Sequence, residues 1–140
     1  MKYLLIIILS ALLSIGKTNA SEAEYLFEFG LVKYDEQGNP IEFEATKKIP
    51  IAMSGENILY GMVVTTAKES PFTLGSIHVL PTDAKKTTKI MGKTMKIEKK
   101  GAVFMKTNER DIPGNYQMEI YIDGLLLKTV EYQLINTQNI

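Results

Sequence analysis

Residues 114–135 read GNYQMEIYIDGLLLKTVEYQLI. Tyr116, Met118, Ile120 and Ile122 take one parity, and Gln117, Glu119, Tyr121 and Asp123 take the other. A period of two, apolar against mostly polar, is the mark of a strand whose two faces meet different surroundings. Asp123-Gly124 follows, a pair that tolerates the positive φ angles of a two-residue hairpin turn. Leu125 to Ile135 then returns as the closing strand. The segment reads as an antiparallel hairpin, and the rest of the chain can be read outward from it.

The same alternation recurs upstream. Tyr25, Phe27, Phe29 and Leu31 alternate with Leu26, Glu28, Gly30 and Val32. Residues 35–40 (DEQGNP) are dense in turn formers. Ile41, Phe43 and Ala45 then alternate with Glu42, Glu44 and Thr46, giving a second strand that pairs back on the first. Pro50 demotes the tail of this run to an edge or a loop. Ile58 to Thr66 is a fuller apolar run with β-branched Val63, Val64, Thr65 and Thr66, suited to a central strand. Its Gly61 marks a bulge or a close backbone approach. Phe72 to Leu80 is the next strand, with Pro81 expected to close it. Lys85 to Ile97 holds a strand or two with a turn at Gly92, and Ala102 to Lys106 another. Asn108 to Asn115 reads as a loop.

Seven to nine strands at this spacing, with no convincing helix among them, predict an all-β chain. The expected architecture is an antiparallel two-sheet sandwich. A small closed β-barrel is the alternative.

Gly114-Asn115-Tyr116-Gln117-Met118 resembles the G-x-Y-x-C stretch that opens strand F of immunoglobulin-like domains. Met118 stands where those domains place a cysteine. The resemblance implies that Tyr116 hydrogen-bonds back to the preceding loop and pins the corner. A wider likeness rests on Phe29-Gly-Leu-Val, the Ile49-Pro50 step, the Gly61 strand and the closing segment Ile112 to Leu127. Together these resemble a family of small exported bacterial domains of unknown function with an immunoglobulin-like sandwich. Trp is common in that family where this chain has Tyr116. The resemblance implies a fold and export. It implies no activity and no catalytic residues.

The amino terminus sets the domain boundary. Met1-Lys2 is followed by an apolar run from Tyr3 to Ile15, then by Gly16-Lys17 and the small-residue step Thr18-Asn19-Ala20. This is the layout of a secretory signal peptide. The run falls short of the roughly 20 apolar residues that a spanning helix needs. Residues 1–20 are therefore expected to be a signal peptide cleaved near Ala20, leaving 21–140 as one immunoglobulin-like domain, periplasmic or secreted. The 140-residue chain contains no cysteine. An exported domain of this composition is held together by burial alone.

Few catalytic groups are available. His78 is the one histidine, so any Ser–His type of nucleophile would have to use it. Ser76 shares its strand face, but no G-x-S-x-G elbow is present. A structural role for His78 is expected. Glu42 and Glu44 share a strand face, and the expected reading of that face is a solvated one. Asp35, Gln37 and Asn39 offer oxygens at alternate positions, but the remaining calcium-loop ligands are missing, so a hydrogen-bonded turn is expected. No metal, cofactor or catalytic residue is assigned.

Sixteen basic and sixteen acidic residues give a net charge of zero. The zero conceals strong polarity. Ala84 to Lys106 carries eight lysines against Glu98, a net of +7. Ser21 to Glu44 carries seven acids against Lys33, a net of −6. Lysines on an edge strand protect against sheet-to-sheet aggregation. The alternative is contact with an anionic surface or glycan, with Lys85, Lys86, Lys89, Lys93 and Lys96 as the candidate patch. Nucleic acid is not expected, because no aromatic residue interleaves these lysines. The leading expectation is a non-enzymatic exported binding domain that contacts a protein or a cell-envelope component. A small carboxylate-dependent hydrolase is the remote alternative.

Overall fold

The computed structural model describes residues 24–82 and 86–137. The expected signal peptide and Lys85 lie outside the described residues. Ten strands follow in order: β1 (Tyr25–Tyr34), β2 (Pro40–Ala45), β3 (Lys48–Pro50), β4 (Leu59–Thr66), β5 (Phe72–Thr82), β6 (Lys86–Met91), β7 (Met95–Ile97), β8 (Lys100–Lys106), β9 (Gly114–Ile122) and β10 (Leu125–Ile135). No α-helix occurs among the described residues.

The strands form two sheets. The first has the order β2-β1-β4-β8, and the second the order β3-β10-β9-β5-β6, with β7 also paired to β5. Both sheets end in free edge strands, so the barrel alternative is overturned. The strand beyond the expected seven to nine is β3. It runs parallel to β10, whereas the other pairings are antiparallel. The chain crosses here from one sheet to the other. Backbone bonds Gln133 N to Lys47 O and Ile51 N to Ile135 O, both 2.8 Å, bracket the crossing. Ile49 is fully buried while its neighbour Lys48 is exposed. A second difference concerns Pro81. It lies inside β5, opposite Thr87 of β6, rather than ending the strand.

The core fills the space between the sheets with one parity of each strand. β1 contributes Phe29, β4 contributes Tyr60, Met62 and Val64, and β5 contributes Phe72 and Leu74. β9 supplies Tyr116, Met118, Ile120 and Ile122, and β10 supplies Val130, Tyr132 and Leu134. An aromatic group ties the sheets together. The Tyr132 ring lies 5.0 Å from Phe29, 5.3 Å from Tyr60 and 5.7 Å from Tyr116 between centroids. The Tyr60 and Tyr132 hydroxyls satisfy one another at 3.2 Å. Burial pushes the Tyr60 phenol up to about 12, and that of Tyr132 upward as well. Both therefore stay neutral and act as core residues with a polar tip.

The Tyr116 hydroxyl donates to the Ile112 carbonyl at 2.6 Å. This is the loop-pinning bond expected at the start of β9, and it is a hallmark of immunoglobulin-like sandwiches. The fold is an all-β, immunoglobulin-like two-sheet sandwich.

Candidate functional site

The side chains that fill the core leave the opposite parity on the outer faces of the two sheets. On the first sheet every strand puts at least one apolar side chain on that outer face. Register places Phe43 (β2), Val32 (β1), Leu59 (β4) and Lys106 (β8) in one row. The next row is Ala45, Gly30, Gly61 and Phe104. Glu28, Val63 and Ala102 follow, then Leu26, Thr65 and Lys100. Ile41 falls at an irregularity of the β1–β2 register, between the Lys33–Glu42 and Tyr34–Pro40 pairs. Ile41, Leu26 and Phe104 are 64%, 58% and 38% exposed, so the face opens to solvent at its periphery, while Val63, Gly30 and Gly61 at its centre are buried. An apolar face of this extent is uncommon on a domain that meets only water.

Charge surrounds this face unevenly. Lys100 and Lys106 stand on the β8 edge. Glu42 and Glu44 also lie on β2 but with the opposite parity, across from Lys33 and Leu31, and Lys33 binds Glu44 at 2.8 Å. Both members of that pair are about half exposed, so it contributes little to stability. Glu42 and Glu44 do not form a cleft. They remain the solvated pair that the alternation implied.

The candidate lysines reach a different part of the molecule. Lys89 lies opposite Val79 and Lys96 opposite Thr73, which puts both on the outer face of the second sheet. Lys93 is exposed in the connection between β6 and β7. Lys86 pairs through its backbone with Thr82 at the end of β6. β6 is an edge strand, as lysine-based edge protection requires. Lys99, which pairs loosely with Glu69 at 3.7 Å, leads into β8 and the other sheet. The lysine-rich segment is thus divided between the two sheets, a division that its sequence does not announce. A groove of about 540 Å³ also crosses the second sheet, lined by Lys48, Val79, Asn115, Gln117, Glu131 and Gln133 among others. The Gln133 side-chain amide donates to the Asn115 oxygen within it at 3.1 Å.

Ser76 and His78 do meet. The Ser76 hydroxyl and His78 Nε2 are 3.0 Å apart, and both residues are at most 5% exposed. They project between the sheets beside Gly92, whose N–H donates to the Ser76 carbonyl at 2.8 Å. His78 Nδ1 is buried without a hydrogen-bond partner. An imidazolium would carry a second N–H into that unsatisfied position, and burial accordingly lowers its pKa below 6.5. The pair is a neutral polar contact within the core. A substrate would have to displace the Gly92 segment to reach it.

Asp35 forms the expected turn. Its Oδ1 accepts from the backbone N–H groups of Gln37 and Asn39 at 3.0 and 2.8 Å, and those bonds hold its carboxyl below the usual carboxylate range. The donors point at the carboxylate, so its oxygens are already committed to the turn. No group of three or more His, Asp or Glu side chains placed to hold a metal occurs among the described residues.

No protein-family model matches the chain, and no curated protein matches it. Several solved structures align with it at low similarity. An immunoglobulin-like protein from Pseudomonas aeruginosa aligns at 14% identity and a TM-score of 0.49, over 79% of this chain and 92% of that one. An alkylpurine DNA glycosylase from Pseudomonas fluorescens, bound to DNA containing an abasic site analogue, aligns at 12% identity and a TM-score of 0.45. A β-glucosidase from Listeria innocua aligns at 8% identity and a TM-score of 0.43. This chain spans 30% of the glycosylase and 16% of the glucosidase. Likeness at this level carries no activity across.

Proposed function

We propose that this chain is an exported, non-enzymatic binding domain that meets a protein partner through the outer face of its first sheet. One observation carries the reading. All four strands of that sheet put apolar side chains on the solvent side, from Phe43 through Val32, Leu59 and Val63 to Phe104, and Ile41 of β2 is exposed beside them. Covering such a face with another protein removes apolar area from water, the main favourable term in association. The signal-like pattern of residues 1–20 supports export, which places the partner in the envelope or outside it. A photocrosslinking residue at position 104 or 41, in the full chain expressed in its host, tests the reading. Protein adducts are expected at these positions and not at position 133 on the other sheet. A folded chain that yields no adduct at either position would refute it.

A second reading rests on Lys89, Lys93 and Lys96, which are exposed on or beside the second sheet. They supply a diffuse positive field suited to an anionic surface or glycan rather than a forked phosphate site.

A further inference from the structure

We infer that the groove across the second sheet is a binding site for a neutral oligosaccharide. The site is separate from the first-sheet face and does not depend on what covers that face. Register assembles the groove from two rows of outward side chains. Lys48 of β3, Gln133 of β10 and Asn115 of β9 form one row. Glu131 of β10, Gln117 of β9 and Val79 of β5 form the next. Pro81 shares the parity of Val79 on β5 and also lines the groove. The groove holds about 540 Å³, within the usual range of a ligand site. Four strands contribute to it, so it runs for three strand spacings, roughly 14 Å. That length suits a chain of linked sugar rings better than one small molecule.

The chemistry of the lining selects the ligand. A sugar hydroxyl both donates and accepts, and a sugar ring presents C–H groups on its faces. The amides of Asn115, Gln117 and Gln133 supply donors and acceptors together, and the Glu131 carboxylate adds acceptors. Half-buried Val79 and Pro81 supply the apolar contact. Two of the amides are oriented before any ligand arrives. The Gln133 amide donates to Asn115 Oδ1 at 3.1 Å, which leaves the Asn115 amide N–H groups and the Gln133 oxygen for a ligand. Among the described residues the Gln117 amide and the Glu131 carboxylate have no partner. Charge argues against a polyanion here, because Glu131 stands in the groove beside Lys47 and Lys48. No arginine lines it to fork onto phosphate. An extended peptide would seek an unpaired strand edge, whereas β10, β9 and β5 are each paired on both sides.

The test is an NMR titration of the isotope-labelled exported chain. The probes are neutral trisaccharides of glucose, galactose, mannose and N-acetylglucosamine, with trigalacturonate as the acidic comparison. Each is used at about 10 mM, above a dissociation constant of about 1 mM. At least one neutral trisaccharide is expected to shift the side-chain amide signals of Asn115, Gln117 and Gln133, at low and high salt alike. Gln117→Leu should weaken that binding about fivefold or more, through the loss of a hydrogen bond. Asn115→Asp keeps the acceptor for Gln133 and removes the free donor, so it should weaken binding as well. It keeps the test sound if Gln117→Leu fails to fold. The inference is overturned if no neutral trisaccharide shifts the three amides, or if both variants fold and bind at full strength. Binding of trigalacturonate alone, lost as salt rises, also overturns it and assigns the sheet to the diffuse field of Lys89, Lys93 and Lys96. Crosslinking at position 104 tests the first-sheet reading separately, so either can fail without the other.

Discussion

Gly30 of β1 and Gly61 of β4 stand directly opposite each other, and neither has room for a Cβ. A Cβ on Gly30 would strike the Glu44 carbonyl, and one on Gly61 the Val103 carbonyl. Those obstacles are backbone atoms of the flanking strands β2 and β8, which cannot swing aside as a side chain can. Gly61→Ala and Gly30→Ala should therefore each cost at least about 2 kcal/mol, at the upper end of ordinary overpacking. Gly38→Ala is the control. Gly38 has positive φ (84°) but open space around it, so only the backbone cost of about 1–2 kcal/mol applies. Urea denaturation of the three variants checks the order. A Gly61→Ala protein as stable as wild type would contradict the close approach.

The bond from Tyr116 to Ile112 gives a narrower prediction. Tyr116→Phe keeps the ring stacked on Tyr132 and deletes only the hydroxyl. The loss should be about 1 kcal/mol, the usual net value of one hydrogen bond. Tyr116→Ala removes the ring as well and should cost about 3–5 kcal/mol. If the Phe variant unfolds at the same denaturant concentration as wild type, the corner bond does not stabilise the fold.

The turn between β9 and β10 can be separated into its two contributions. Asp123 has φ of 50°, and its Oδ1 accepts the Thr73 N–H at 2.9 Å while its own N–H donates to the Thr73 carbonyl. Asp123→Gly keeps the backbone freedom and loses the side-chain bond. Asp123→Ala loses both. The Ala variant should be the less stable of the two by about 1 kcal/mol. Equal stabilities would mean that the left-handed backbone costs nothing here.

The extent to which this fold could be read in advance follows from what a period of two contains. Alternation shows that two faces differ, so β1, β2, β4, β9 and β10 were legible, as was the tyrosine that pins β9. Alternation does not say which face points inward. The parity of Ile41, Phe43 and Ala45 looks like a core face, yet β2 is an edge strand and presents Phe43 and Ala45 outward. That is why the apolar outer face was missed. Only the register of four strands assembles it, and no single strand carries the signal. The lysine-rich segment misled for a related reason. Its continuity in sequence hides the step from β7 in one sheet to β8 in the other. The parallel strand β3 has three residues, too few for any periodicity.

The lysines on the second sheet make a separate claim on solution behaviour. If Lys89, Lys93 and Lys96 form a working anionic-surface site, wild type should be retained on heparin and on anionic vesicles. Retention should fall steeply as ionic strength shortens the screening length to about 8 Å near physiological salt. Replacing all three with Glu should abolish it without changing stability, since none is buried. Retention that survives the triple change, or that ignores salt, would assign these lysines to edge protection alone.

His78 makes the fold sensitive to acid in a predictable window. Its imidazole is neutral in the core because burial lowers its pKa from 6.5. The unfolded chain takes up the proton at the ordinary value, about 6.5. Between the two values the unfolded state binds more protons, so stability rises with pH there. The contribution is complete above 6.5 and is lost as the pH falls through the lower folded value. His78→Gln can still bond Ser76 but does not titrate. It should be less stable than wild type near about pH 7.5, and the gap should narrow by about pH 5.5 as wild type alone pays to keep the imidazole neutral. Carboxylates common to both proteins cancel in the difference. Denaturation curves across this range settle the matter, and a gap that stays constant would mean that His78 titrates alike in the folded and unfolded chains.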